Sequence, residues 1–233
     1  MKTKVVVLAF ALFFIGLVSI SAQEGPSTSV AGGGISVKGW TGKIDAKEVT
    51  AGLTLNSAKF SKEGDGFRVT TGPAVTYWNP ENTAKGDYTV SATFTESKYM
   101  SINDHPHPYG IMIGGNDLGT DQQSYLYCAA YGNGTFIVRG FGPTPFQLGG
   151  RAPKADPAVN KAAGVGQPVT QTIAITVKGD TISCSINSKV VASFAKSEAI
   201  AAGKLKSTDG VYGIRFAHNT DATVTNFKKS KAQ

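Results

Sequence analysis

Alternation of apolar and polar residues is the dominant pattern in this chain. In GDYTVSATFTES, Tyr88, Val90, Ala92 and Phe94 share one face, while Thr89, Ser91, Thr93 and Thr95 share the other. In QTIAITVKGDTISCSI, Ile173, Ile175 and Val177 alternate with Thr172, Ala174 and Thr176. Lys178, Gly179 and Asp180 then turn the chain, and Ile182, Cys184 and Ile186 resume the period. A period of two with turn residues between predicts a hairpin with one wet face. Asn187 and Ser188 lead into KVVASF and a third strand of the meander. GFRVTT, PAVTYW, YGIMIGG, SYLYCAAY, GTFIVRGF, VYGIRFA and ATVTNFK read as further strands, separated by Gly, Pro, Asn and Asp clusters. Helix signals are confined to KSEAIAAGKL, with Gly203 as a stop, and a turn within PKADPAVNKAAG in a long loop over 142–170. Many short strands with little helix predict an all-β jelly-roll sandwich of two antiparallel sheets. A closed barrel around one cavity is the structural alternative.

The N-terminus departs from this pattern. Lys2 and Lys4 precede an uncharged apolar run from Val5 to Val18, and small residues Ser19, Ser21 and Ala22 follow. This order predicts a secretory signal peptide over 1–22 and a secreted or periplasmic protein. The run is shorter than the ~20 residues of a spanning helix, so no stable membrane insertion is expected after cleavage. The division that follows is a flexible leader over 23–34, one β-sandwich over 35–228 and a basic tail over 229–233. Roughly 210 residues suit a single all-β domain with a core of its own.

Composition removes some function classes. The formal charge of the 233 residues is +7, and Lys2 and Lys4 leave with the signal segment. The remaining basic residues are scattered, apart from Lys228, Lys229 and Lys231. They form no stripe with interleaved aromatics, so no nucleic-acid partner is expected. Cys128 and Cys184 fall on the faces that carry Leu126, Ile182 and Ile186. Export permits a bridge between them; two small buried thiols fit the pattern equally.

Candidate chemistry concentrates in SINDHPHPYGIMIGG, residues 101–115. His105 and His107 are spaced as a chelating pair, but Pro106 and Pro108 favour an extended edge or loop over an internal strand. A metal site also needs a third or fourth ligand. Asp104, Asp117, Asp121 and distant His218 lie at no supporting spacing, so no metal site is assigned. The expectation is a stiff loop that presents imidazoles at a sheet rim. GGNDLGTDQQ, residues 114–123, offers oxygen ligands of the kind calcium takes. Turn chemistry accounts for the same residues, so no cofactor is assigned and calcium is kept as a minor alternative.

The sandwich-glucanase run E-x-D-x-E is absent, as are G-x-S-x-G, the P-loop and G-x-G-x-x-G. Tyr125, Tyr127 and Tyr131 stand opposite Leu126 and Cys128, Arg139 lies between Ile137 and Phe141, and Arg215 opposes Ile214 and Phe216. Such a row either binds sugar, with rings on pyranose C–H faces and guanidinium donors on hydroxyls, or simply covers a sheet. The candidate ligand-binding residues are Trp78, His105, His107, Tyr109, Tyr127, Tyr131, Arg139 and Arg215. His107 and Asp121 are the candidates for acid/base work in an enzyme.

GPAVTYWNP, GDYTVSATF, HPHPYGIMIGG, QQSYLYC, GNGTFIVRGF, GDTISCSINSKVV and DGVYGIRFAHNTDATVTNF follow one another in an order that resembles secreted bacterial proteins of the concanavalin A-like lectin/glucanase superfamily. The 3-keto-disaccharide hydrolase domain group lies nearby, sharing the turn matched by Ile186–Val191 and the last strand matched by Gly213–Phe216. The resemblance spans about residues 36 to 228 and implies the sandwich fold; its look-alikes carry no assigned function. The function expected is binding of an oligo- or polysaccharide or cell-envelope glycan. A sugar-active hydrolase or lyase, and a structural envelope protein without a small ligand, are the alternatives.

Overall fold

The computed structural model describes residues 25–232, so the expected signal segment lies outside the described residues. Sixteen strands follow in chain order: β1 (Gly34–Ile35), β2 (Thr41–Ile44), β3 (Lys59–Glu63), β4 (Gly66–Thr70), β5 (Val75–Ala84), β6 (Tyr88–Glu96), β7 (Tyr109–Asn116) and β8 (Ser124–Ala130). Next come β9 (Thr135–Phe141), β10 (Pro145–Leu148), β11 (Lys154–Ala155), β12 (Val169–Lys178), β13 (Thr181–Ile186), β14 (Lys189–Ala195), β15 (Gly210–Phe216) and β16 (Asp221–Lys231). Two short helices interrupt them, α1 (Ala46–Thr50) and α2 (Lys196–Ala199).

The strands form two sheets. The first runs β1-β3-β4-β16-β6-β12-β13-β14, and the second runs β10-β9-β8-β7-β15-β5-β2 with β11 added against β9. All pairs are antiparallel except the two-residue contact of β1 with β3. The all-β jelly-roll sandwich read from the alternation is therefore the observed fold, and the two separate sheets replace the barrel alternative. Side-chain parity does this work. Val90, Ala92 and Phe94 of β6 and Ile173, Ile175 and Val177 of β12 are buried together in the core, while Thr89, Thr93 and Thr95 hydrogen-bond Thr176, Thr172 and Thr170 on the outer face. Cross-strand Thr pairs of this kind add to a sheet's stability.

The core between the sheets is stapled by a disulfide. Cys128 on β8 and Cys184 on β13 face each other with Cα atoms 6.1 Å apart and are bonded. This settles the choice left open by the sequence in favour of the bridge.

Four expectations about chain segments change. The predicted helix at KSEAIAAGKL shortens to the single turn of α2, because Leu205 and Ala199 are drawn into the core. The 142–170 loop contains β10 and β11 and no helix, and Val159 is buried in the core. Part of the leader is docked: Thr28 hydrogen-bonds Asn219 through both its backbone N–H and its hydroxyl, and Val30 N–H bonds Ser57 O. Lys229 and Lys231, expected in a tail, pair with β6 in the last stretch of β16.

Glu96, at the end of β6, is buried at 4% exposure. Its Oε1 accepts from Met100 N–H at 3.1 Å, and Oε2 has no hydrogen-bond partner. Burial pushes its carboxyl up to about 7, with Asp221 adding to the rise and the Met100 bond opposing it. A raised folded-state value gives stability that is full below the ordinary 4.5 and is lost as pH climbs through about 7. We expect the melting temperature to fall between pH 5 and pH 8, and Glu96→Gln to flatten that fall and melt higher than the parent at pH 8. Equal slopes in thermal melts of the two proteins would refute this.

Candidate functional site

The strand parity that builds the core also builds a second surface. β7 and β8 are buried on both faces. Their inward residues, among them Tyr109, Ile111, Leu126 and Cys128, belong to the main core. Their outward residues Met112, Tyr125, Tyr127 and Ala129 join Trp78 and Ile137 in a second apolar cluster on the outer face, with Leu118, Tyr131, Phe141 and Val211 packed against it. At the Leu118 end the cluster is covered. At the other end the surface opens into a cleft of about 570 Å³.

The floor of the cleft is held by an ion pair between a buried arginine and a partly buried aspartate. Arg215 projects from β15 opposite the core residues Ile214 and Phe216 and is 6% exposed. Its Nη1 and Nη2 donate to Asp45 Oδ1 and Oδ2 at 2.7 and 2.6 Å. Nη1 also donates to Thr76 Oγ1 at 3.2 Å, and that hydroxyl lies 2.8 Å from Tyr125 Oη. The guanidinium carbon lies 5.4 Å from the Phe141 ring centre and 5.8 Å from that of Tyr127, within the range of a cation–π contact. Burial acts against the guanidinium charge, but Asp45 outweighs it and the net shift is upward.

One wall is the β9–β11 region. Arg139 of β9 lines the cleft and donates from Nη2 to Arg151 O at 2.7 Å. Tyr127 and half-buried Tyr131 stand beside it, and Phe146 and Pro153 complete that side. The other wall is the 101–108 loop and the turn after β15, which supply His105, His107 and His218.

The histidines are brought together by strand register. Phe216 pairs with Tyr109. One step beyond the sheet, Ala217 N–H bonds Pro108 O at 2.9 Å, and the next residue, His218, comes against His107. The ring centres of His107 and His218 are 4.1 Å apart, as are those of His105 and His107. His107 Nε2 and His105 Nε2 lie 2.7 Å apart, and His105 Nδ1 meets Asp104 Oδ1 at 2.5 Å. Burial, with His218 and His105 beside it, pulls His107 down to about 3, so its imidazole is neutral near pH 7.

Set against the sequence, the loop reading of HPHP at a sheet rim matches the observed geometry, and His105, His107, Tyr127, Tyr131, Arg139 and Arg215 all line the cleft. Three candidates do not. Tyr109 is fully buried in the main core, since it shares the inward face of β7 with Ile111 and Ile113. Trp78 is 5% exposed in the covered part of the outer cluster, where Leu118 of the 117–123 turn also packs. Asp121 is fully exposed, 3.6 Å from Lys43 Nζ, and outside the cleft lining. In the segment weighed for calcium, Asp117 pairs with Lys206 and Asp121 with Lys43.

The sequence reading assigned no metal site because no third ligand lay at a supporting spacing. The structure revises the premise: one ring nitrogen from each of His105, His107 and His218 lies within 4.8 Å of the others. Asp45, Phe141 and His218 are among the cleft residues that the sequence reading did not select. For His218 the usable signal was the pairing of the YGIMIGG and VYGIRFA strands; for Asp45 no local signal exists.

The fold is a jelly-roll β-sandwich of two antiparallel sheets with a cleft on the outer face of the second. No protein-family model matches the chain, and no curated protein matches it significantly. Solved structures do. The carbohydrate-binding module CBM66 from Bacillus subtilis aligns over 85% of this chain and 99% of its own at 9% identity and a TM-score of 0.54. A Bacillus subtilis protein of unknown function with a galectin-like fold aligns over 90% and 95% at 14% identity and 0.56. The metal-free carbohydrate recognition domain of Emp46p aligns over 84% and 89% at 11% identity and 0.51. At these identities the likeness is one of fold.

Proposed function

We propose that this is an exported glycan-binding protein whose sugar site is the cleft on the outer face of the second sheet. The observation that carries the reading is the cleft itself, about 570 Å³ with Tyr127, Tyr131 and Phe141 beside Arg139, Arg215 and Asp45. That volume lies in the usual range of small-ligand sites, which combine aromatic walls with a few placed polar groups. Rings offer flat faces to pyranose C–H groups, and Arg139 offers charge-assisted donors to hydroxyls. Arg215 is locked to Asp45 and orders the floor. Two neighbours in fold, CBM66 and the Emp46p domain, are named as carbohydrate-binding, which supports the reading. The buried disulfide suits an exported chain.

The hydrolase or lyase alternative, with His107 or Asp121 as acid/base, draws no support from the geometry. Burial holds His107 below the ordinary imidazole range, which leaves it a weak base, and Asp121 stands outside the cleft lining.

The test is a glycan-array screen of the purified protein followed by calorimetric titration of the best oligosaccharide. Tyr131→Ala should weaken binding by about 0.5–1.5 kcal/mol and Arg139→Ala by about 1.5–3 kcal/mol, while Asp121→Ala leaves it unchanged. The reading fails if no glycan binds, or if both cleft variants bind as the parent does.

A further inference from the structure

From the three histidines we infer a binding site for a divalent transition metal of the zinc class, built from His105, His107 and His218 at one wall of the cleft. It is independent of the glycan reading, because it concerns the histidines and the groups behind them.

The donor atoms fit such an ion. Zinc takes imidazole nitrogen at 2.0–2.1 Å in tetrahedral geometry, which separates ligand nitrogens by roughly 3.3 Å. Here the His105 and His107 Nε2 atoms are 2.7 Å apart, and the three donor nitrogens lie within 4.8 Å of one another. Side-chain rotations that move the donor atoms by roughly 0.5–1.5 Å bring them to the tetrahedral spacing. His107 and His218 are buried, at 5% and 6% exposure, and His105 is half-buried. Three protein ligands leave a fourth position for water or a ligand oxygen, the arrangement that keeps a metal site open. All three residues line the cleft.

The groups behind the rings fit as well. Metal-bound histidine usually has its second nitrogen held by a carboxylate, a carbonyl or a similar partner, which fixes the ring and its tautomer. His105 Nδ1 meets the Asp104 carboxylate at 2.5 Å, and His218 Nδ1 meets Ser27 Oγ at 3.2 Å. His107 Nδ1 lies 3.0 Å from Asn103 Nδ2, and the backbone of Asn219 is a further hydrogen-bonding partner of the ring. Each ring is thus anchored through Nδ1, and Nε2 is the side that a metal would use. In the metal-free arrangement His107 Nε2–H donates to His105 Nε2, and His105 Nδ1–H donates to Asp104. A metal on His107 Nε2 would require the ring proton on Nδ1 and the Asn103 amide turned so that Oδ1, which has no partner here, accepts it.

The cluster also differs from what calcium prefers. Calcium takes six to eight oxygen ligands, and this site offers three nitrogens. Imidazole suits zinc, copper and nickel instead. The leader segment contributes as well: Ser27 reaches His218, and Pro26 O accepts from Asn219 Nδ2 at 3.2 Å. The docking of residues 26–28 therefore closes the back of the site.

The test uses tag-free protein treated with chelator and desalted, then titrated with Zn(II) by calorimetry and with Co(II) by visible absorption. One ion per chain should bind, and Co(II) should give the intense bands of a low-coordinate nitrogen site. His218→Ala should weaken zinc at least about 100-fold. Asp104→Asn, which keeps every ligand, should weaken it by about 10–100-fold. His105→Ala, at the most exposed of the three rings, serves as the ligand variant should His218→Ala fail to fold, as judged by circular dichroism. The inference is overturned if the parent binds neither ion in the millimolar range, or if zinc binds the parent and the folded His variants alike. Titrating the best oligosaccharide with and without chelator keeps the two proposals apart. Sugar binding that survives chelation with no zinc uptake would leave the glycan site standing and remove the metal site. Zinc uptake without any glycan binding would do the reverse.

Discussion

Asp45→Ala should cost this protein about 3–5 kcal/mol of stability, the range found when one partner of a buried ion pair is removed. The reason lies in what it leaves behind. The Arg215 side chain is 8% exposed and that of Asp45 17%. Without Asp45 the guanidinium keeps one Thr76 hydroxyl and the rings of Phe141 and Tyr127. Arginine cannot shed its charge by losing a proton, so an uncompensated cation remains on the floor of the cleft. Asp45→Ala combined with Arg215→Met should recover most of the loss, since an apolar replacement of the whole pair is often neutral or better. Urea unfolding of the two variants measures both effects. A loss under about 1 kcal/mol for Asp45→Ala would place the pair with exposed salt bridges and refute its role as the cleft's foundation.

Removing the disulfide should have an effect of similar size. Cys128 and Cys184 are separated by 56 residues and join the two sheets through the core. The chain-entropy relation for a loop of this length gives about 4 kcal/mol. In a chain of about 200 residues each kcal/mol moves the melting point by about 2–4 °C, so Cys128→Ala with Cys184→Ala should melt lower by roughly 8–16 °C. Neither sulfur-bearing residue is more than 2% exposed. Reductant added to the folded parent should therefore act slowly, and brief unfolding in reductant should reproduce the double variant. Calorimetric melts that coincide for parent and double variant would show that the bridge contributes nothing.

The candidate site was partly legible, and the boundary follows from distance along the chain. Parity assigned Tyr125 and Tyr127 to the outer face of β8 and Leu126 and Cys128 to the core, as observed. The same parity places Tyr109 inward with Ile111 and Ile113. Its selection as a ligand residue followed from its position next to the histidines, and the core claimed it. Trp78 does lie on the outer face, but whether that part of the face is open depends on the Leu118 turn, about 40 residues further on. Arg139 and Arg215 were identified as outward, yet only one of them is available to a ligand, because Asp45 lies 170 residues before Arg215 and neutralises it.

By itself the sequence determined the period of each strand, the face of each side chain and hence the sandwich, since alternation is a property of neighbours two residues apart. Only the tertiary structure decided which faces meet. It chose the disulfide over two separate thiols by bringing Cα atoms to 6.1 Å. It covered Trp78, opened the cleft beside Tyr127, and set His218 against His107 through the pairing of β7 with β15. These outcomes depend on contacts between residues far apart in the chain, and a one-dimensional pattern carries no term for them.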